Sequence, residues 1–170
     1  MPDYVRWSPD QAGVLLHEGA RAFLVEEGLP RRSLLFQAAG PTGHPMEVRS
    51  GHVCVVLGAY DEGELFLLDI EQGRILFGAE GFNDASPVNA SLELFAQCLA
   101  VTEGNFPYYS SGDGNAKFLA VAKRLEQVLS AIDPGTYRLR GSFWKTFVHD
   151  VSIGDFSIED VDWWPPDSDR

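Results

Sequence analysis

A chain of 170 residues, 45% hydrophobic and 12% aromatic, holds enough apolar material for one core and is no disordered polymer. Lysine and arginine number 13 against 25 aspartates and glutamates, a formal charge of −12, which excludes the basic stripe of a nucleic-acid binder and docking on anionic lipid. No apolar run reaches the roughly 18 to 20 residues of a membrane helix, and the first residues lack a signal peptide's basic start and apolar centre. The expectation is a single cytoplasmic domain spanning 1–170.

The chain opens with a predicted helix over 10–27, in which Leu16, Ala20, Phe23, Leu24 and Glu27 fall at helical spacing. Gly28 stands where a left-handed residue ends a helix, and Pro30 prevents resumption. Pro41 to Pro45 reads as an irregular connection. The period then changes. Val53 to Gly58 is a continuous apolar run suited to a strand buried on both faces. Asp61-Glu62-Gly63-Glu64 turns the chain, Leu65 to Ile70 is the next strand, and Glu71-Gln72-Gly73 turns it again into Arg74 to Phe77. Turns this short leave no room for a helical crossover, so these strands form an antiparallel meander.

Two helices are expected next. Asn89 is placed to cap the first, after the start signal Ser86-Pro87-Val88, with Leu92, Phe95, Ala96, Leu99 and Glu103 at three- and four-residue steps. The second begins near Asn115 and carries Phe118, Ala122, Leu125, Leu129 and Ile132 on one stripe until Asp133-Pro134-Gly135. Tyr137 to Leu139 and Phe143 to Val148 read as strands, followed by an irregular acidic tail over about 150–170. The sum is an α+β domain, an antiparallel sheet flanked by helices.

The chain carries four histidines and two cysteines as candidates for chemistry. No GxSxG is present, and His149-Asp150, the one adjacent His–carboxylate pair, would point to opposite faces of the expected strand. Cys54 and Cys98 have no CxxC spacing and read as apolar fillers. Gly112-Asp113-Gly114-Asn115 lacks the lysine of a phosphate loop. No catalytic residue, cofactor or metal site is therefore assigned. What remains is charge and aromatics. Candidate partner-binding residues are Asp61, Glu62 and Glu64 at the hairpin, and Asp150, Asp155, Glu159, Asp160, Asp162, Trp163 and Trp164 near the end. Tyr108-Tyr109 and Phe143-Trp144 serve either as interface anchors or as cover for the sheet's open face.

Several stretches, in order, match one family. Phe23 to Pro30 resembles a helix end followed by "GLP" in the SUKH superfamily (Smi1/Knr4-like). Leu57-Gly58 with Leu67 to Ile75 is similar to that group's central strands, and Pro87 to Phe95 to the "xNxSLxxF" helix start of its fourth, SUKH-4, immunity subfamily. The resemblance covers roughly 20–130 and implies a non-catalytic bacterial immunity protein. Such a protein binds and neutralises the cognate toxin domain of a polymorphic toxin system. The family's toxins differ, so the toxin's chemistry is not carried over; the acidic charge points to a basic toxin, a nuclease or a nucleic-acid deaminase, whose site an acidic surface can occlude. The partner is then a protein, with no direct nucleic-acid or membrane contact. The competing readings are a regulatory scaffold module of the same fold and a small enzyme built around Cys54, His52 or His149.

Overall fold

The computed structural model describes residues 3–39 and 46–161, so the Pro41 to Pro45 connection and Asp162, Trp163 and Trp164 lie outside the described residues. β1 (Tyr4–Val5) pairs antiparallel with β2 (Leu29–Pro30). Between them the predicted helix over 10–27 is two helices, α1 (Pro9–Ala12) and α2 (Glu18–Glu26). A capping box between Ser8 and Gln11 starts α1, and the chain leaves helical geometry after Gly13. His17 then caps α2, its Nδ1 accepting from the Ala20 amide at 3.1 Å. The interruption is held by the sheet, because the Leu16 and His17 amides both donate to the Ile70 carbonyl at 2.8 and 3.0 Å. Leu16 consequently faces solvent while Leu15 is buried, and Ala20 and Leu24 of the expected stripe are buried. Gly28 does adopt the left-handed conformation, at φ +79°.

Among the described residues, the main sheet takes β3 (Arg32–Ser33), β4 (Phe36–Ala38), β6 (His52–Asp61), β7 (Glu64–Asp69), β8 (Ile75–Ala79) and β9 (Ser86–Asn89) in the order β3-β4-β6-β7-β8-β9. β5 (Met46–Arg49) pairs with the first half of β6. Every pairing is antiparallel, and β6, β7 and β8 are the meander expected from the short turns. Both faces of β6 and β7 are covered, which is why their sequences run apolar without alternation. The pairing of β6 with β7 shifts between Val56 and Gly58 and again between Ala59 and Asp61. Such bulges bend a strand and re-aim its end, here the segment carrying Tyr60 and Asp61. Gly58 is required there: a Cβ would lie 2.3 Å from the Gln37 carbonyl oxygen and 2.5 Å from the Phe36 ring.

Ser86 to Asn89 is strand and not helix start, with Pro87 tolerated at the sheet's edge. Ser91 caps α3 (Leu92–Gly104) in place of Asn89, whose amide is buried in a polar network. α4 (Asn115–Ile132) begins at the predicted residue and buries Phe118, Val121, Ala122, Leu125 and Leu129. After it come α5 (Pro134–Tyr137) and α6 (Phe143–Ile153), where two strands were expected. Phe143, Trp144, Phe147, Val148 and Val151 mark a helical face, and that period overrides the strand preference of the individual aromatics. Gly154 ends α6 in the left-handed conformation, at φ 99°. The core joins α3, α4 and α6 to one face of the sheet. Phe36, Phe66 and Phe95 interlock with ring centroids 5.1–5.8 Å apart, and Phe143 lies 4.8 Å from Phe77. Among the described residues, no helix is long and apolar enough to cross a membrane.

Candidate functional site

The hairpin between β6 and β7 and the end of α6 meet across a single cleft of about 770 Å³. Asp61, Glu62 and Gly63 of the hairpin line it together with Asp150, Asp155 and Asp160, and Arg32, Ser33, Phe36 and Tyr60 complete the wall. Two acidic segments far apart in sequence are thereby one surface. The β6 bulges aim the hairpin, and the packing of Phe143 against Phe66 and Phe77 sets α6 beside it. A smaller slot of about 190 Å³ adjoins the cleft and contains Glu64.

The lining is predominantly negative, with Arg32 as the one cation among its described residues. Among the described residues, none of Asp61, Glu62, Glu64, Asp150 and Asp155 forms an ion pair with lysine or arginine. Tyr60 lies amid them, its ring 6.1 Å from Phe77 and 6.2 Å from Phe143. Burial first, and then Glu64, Asp150, Asp61 and Asp155, push its phenol up to about 12, so it stays a protonated donor at neutral pH. Desolvation, then repulsion from Asp155, raises the Asp150 carboxyl above the ordinary range, with His149 opposing. Asp150 also sits in the last turn of α6, where the helix dipole disfavours an anion.

A carboxyl whose folded pKa is raised costs stability once ionised, and the cost disappears as pH falls through that folded value. Asp150→Asn is therefore expected to raise the melting temperature at pH 7 by about 1–2 °C, the size of a surface electrostatic change of about 0.5 kcal/mol. The gain shrinks as the pH falls through the raised folded range of the carboxyl. Thermal melts across this range check it, and a lower melting temperature at pH 7 would make Asp150 a structural residue instead.

Not every candidate belongs to the cleft wall. Glu159 turns to the loop before α4, its two carboxylate oxygens accepting from Ser110 Oγ at 2.6 Å and the Ser111 amide at 2.8 Å. These bonds hold its carboxyl down at about 2. Asp160 lines the cleft but accepts from Ser157 Oγ at 2.5 Å. The stretch from Asp155 to Val161 is thus fastened, with the Ile158 amide donating to the Tyr109 carbonyl at 3.0 Å, and is no loose tail. Tyr108, Tyr109 and Trp144 are buried, which removes them as interface anchors, while Phe143, 8% exposed, lines the smaller slot. The Tyr109 hydroxyl donates to the Val151 carbonyl at 2.6 Å, and Trp144 Nε1 to Asn89 Oδ1 at 2.9 Å.

One cluster went unread in the sequence. His52 Nδ1 lies 2.9 Å and Arg74 Nε 3.4 Å from Asp69 Oδ2, at ion-pair distance without hydrogen-bond alignment. Arg74 Nη2 stands 2.5 Å from His52 Nε2, and Asp69 Oδ1 accepts from the Glu71 and Gln72 amides. The cross-strand pairing of β6 with β7 assembles it, so no local spacing announces it. Cys54 lies next to it, but burial and then Asp69 push its thiol up to about 11, far from a reactive thiolate. Cys98 is pushed up to about 12 by burial. His149 is on α6, exposed, beside Asp150. Among the described residues, no group of histidine, cysteine, aspartate or glutamate is arranged to hold a metal ion.

No curated protein and no solved structure matches the chain. The model of one family, described as SUKH-4 immunity protein, matches residues 5–150. That match spans β1 to the cleft-lining end of α6, and the chain belongs to the SUKH-4 immunity protein family.

Proposed function

We propose that the chain acts as one immunity domain that neutralises a cognate bacterial toxin, taking a basic surface of that toxin into the acidic cleft. The observation that carries this reading is the convergence of Asp61 and Glu62 with Asp150 and Asp155 on one concavity, where Arg32 is the one cation among the described lining residues. Concentrated negative charge steers a basic protein to the site and speeds encounter. A nuclease or nucleic-acid deaminase needs cations where it handles phosphates, and a row of carboxylates competes for them. Polyanionic nucleic acid itself is repelled by the same surface. The role needs no catalysis: both described cysteines are held as neutral thiols, and His52 is engaged by Asp69 and Arg74.

Growth rescue tests the proposal. Coexpression with the toxin-like domain encoded beside this gene is expected to restore colony counts that the toxin alone abolishes. Death despite folded protein would transfer the family assignment to a regulatory scaffold role and end the toxin reading.

A further inference from the structure

The slot beside the cleft has a chemistry of its own. It is lined by Phe143 and Phe147, both buried, and by Phe77, Glu64 and Asp150, all half-buried. Tyr60 and Asp150 line slot and cleft alike, so the two spaces are neighbours. An apolar side chain would pack on the rings but would strip water from two carboxylates and offer no counter-charge. A lysine would supply the charge as a compact, strongly hydrated point. Arginine satisfies both ends: its methylenes and planar guanidinium pack on ring faces while its N–H groups reach carboxylates in pairs.

Resting on the toxin-binding reading, we infer that the slot is a guanidinium pocket that receives one arginine side chain projecting from the protein partner, flanked by Glu64 and Asp150 and walled by Phe77, Phe143 and Phe147. The acidic cleft then supplies attraction over a broad surface, and the slot supplies the anchor.

The test titrates N-acetyl-arginine amide into the isotope-labelled full chain at low ionic strength and follows aromatic and amide resonances. N-acetyl-citrulline amide, with the same shape and no charge, and N-acetyl-lysine amide run in parallel. The expected result is saturable shifts at Phe77, Phe143 and Thr146, with citrulline weaker by about tenfold or more. Thr146→Trp, at an exposed slot position, and Asp150→Asn should each abolish saturation, whereas Glu93→Gln on the first turn of α3 should not. No saturable shift, an equal response to citrulline, or saturation unchanged in both slot variants would overturn the inference. Growth rescue without arginine binding would remove the pocket and keep the immunity role. Arginine binding without rescue would do the reverse.

Discussion

Reversing one charge on each wall of the cleft, Asp61→Lys with Asp155→Lys, is expected to abolish protection in the rescue assay and to weaken toxin binding by about a hundredfold or more. Both side chains are exposed and unpaired with cations among the described residues, so the fold tolerates the change. Each reversal replaces an attraction with a repulsion against a basic partner. Charge pairs across interfaces measure about 1.5–7 kcal/mol, and about 2.7 kcal/mol already amounts to a hundredfold. The loss should reside largely in the association rate and diminish as salt screens the field. Glu93→Lys carries the same sign of charge change outside the cleft and should leave rescue intact. Unchanged affinity in the double reversal would sink the charge-complementary version of the mechanism, whatever rescue shows. An equal loss in Glu93→Lys would reduce the effect to net charge.

A second large effect concerns stability. Asp133, 6% exposed at the start of α5, accepts from the Asn89 side-chain amide at 3.2 Å, the Ala90 amide at 2.8 Å and the Thr136 amide at 3.2 Å. Asn89 in turn accepts from Trp144 on α6. One carboxylate therefore ties β9, α5 and α6 together. Asp133→Ala takes the acceptor from two backbone amides, of Ala90 and Thr136, and from the Asn89 side chain, and it is expected to cost about 3 kcal/mol. For a chain of this size that lowers the melting temperature by about 6–12 °C. Asp133→Asn retains an acceptor and should lose less than half as much. Urea unfolding followed by circular dichroism measures both, and a loss below about 1 kcal/mol in the alanine variant would show that the network merely accompanies the packing. Because the network positions α6 without lining the cleft, toxin affinity should survive where the variant remains folded.

The network also explains one failure of the sequence reading. Asn89 has the composition and position of a helix cap, and local chemistry assigns it that job. Its actual partners, Asp133 and Trp144, are distant in sequence and become visible only in three dimensions. Helix α6 failed for another reason: aromatics favour strands singly, and their four-residue period was outweighed by that preference. His17 shows the reverse case, where a plausible helical stripe was broken because backbone amides at 16 and 17 found a better acceptor in Ile70.

What the sequence determined by itself was whatever depends on neighbours along the chain. The meander follows from short glycine turns between buried runs, α4 from a clean four-three stripe, the end of α2 from Gly28, and the acidic character of both segments from composition. The motifs from Phe23 to Phe95 were likewise enough to identify the family later matched over 5–150. Tertiary structure alone decided that the two acidic segments share one cleft, that Glu159 leaves it for Ser110 and Ser111, and that an aromatic slot opens beside Glu64 and Asp150. The physical reason is that a strand's bulge and a helix's packing angle set where side chains converge. Both depend on contacts between residues far apart in sequence, which local period and propensity do not encode.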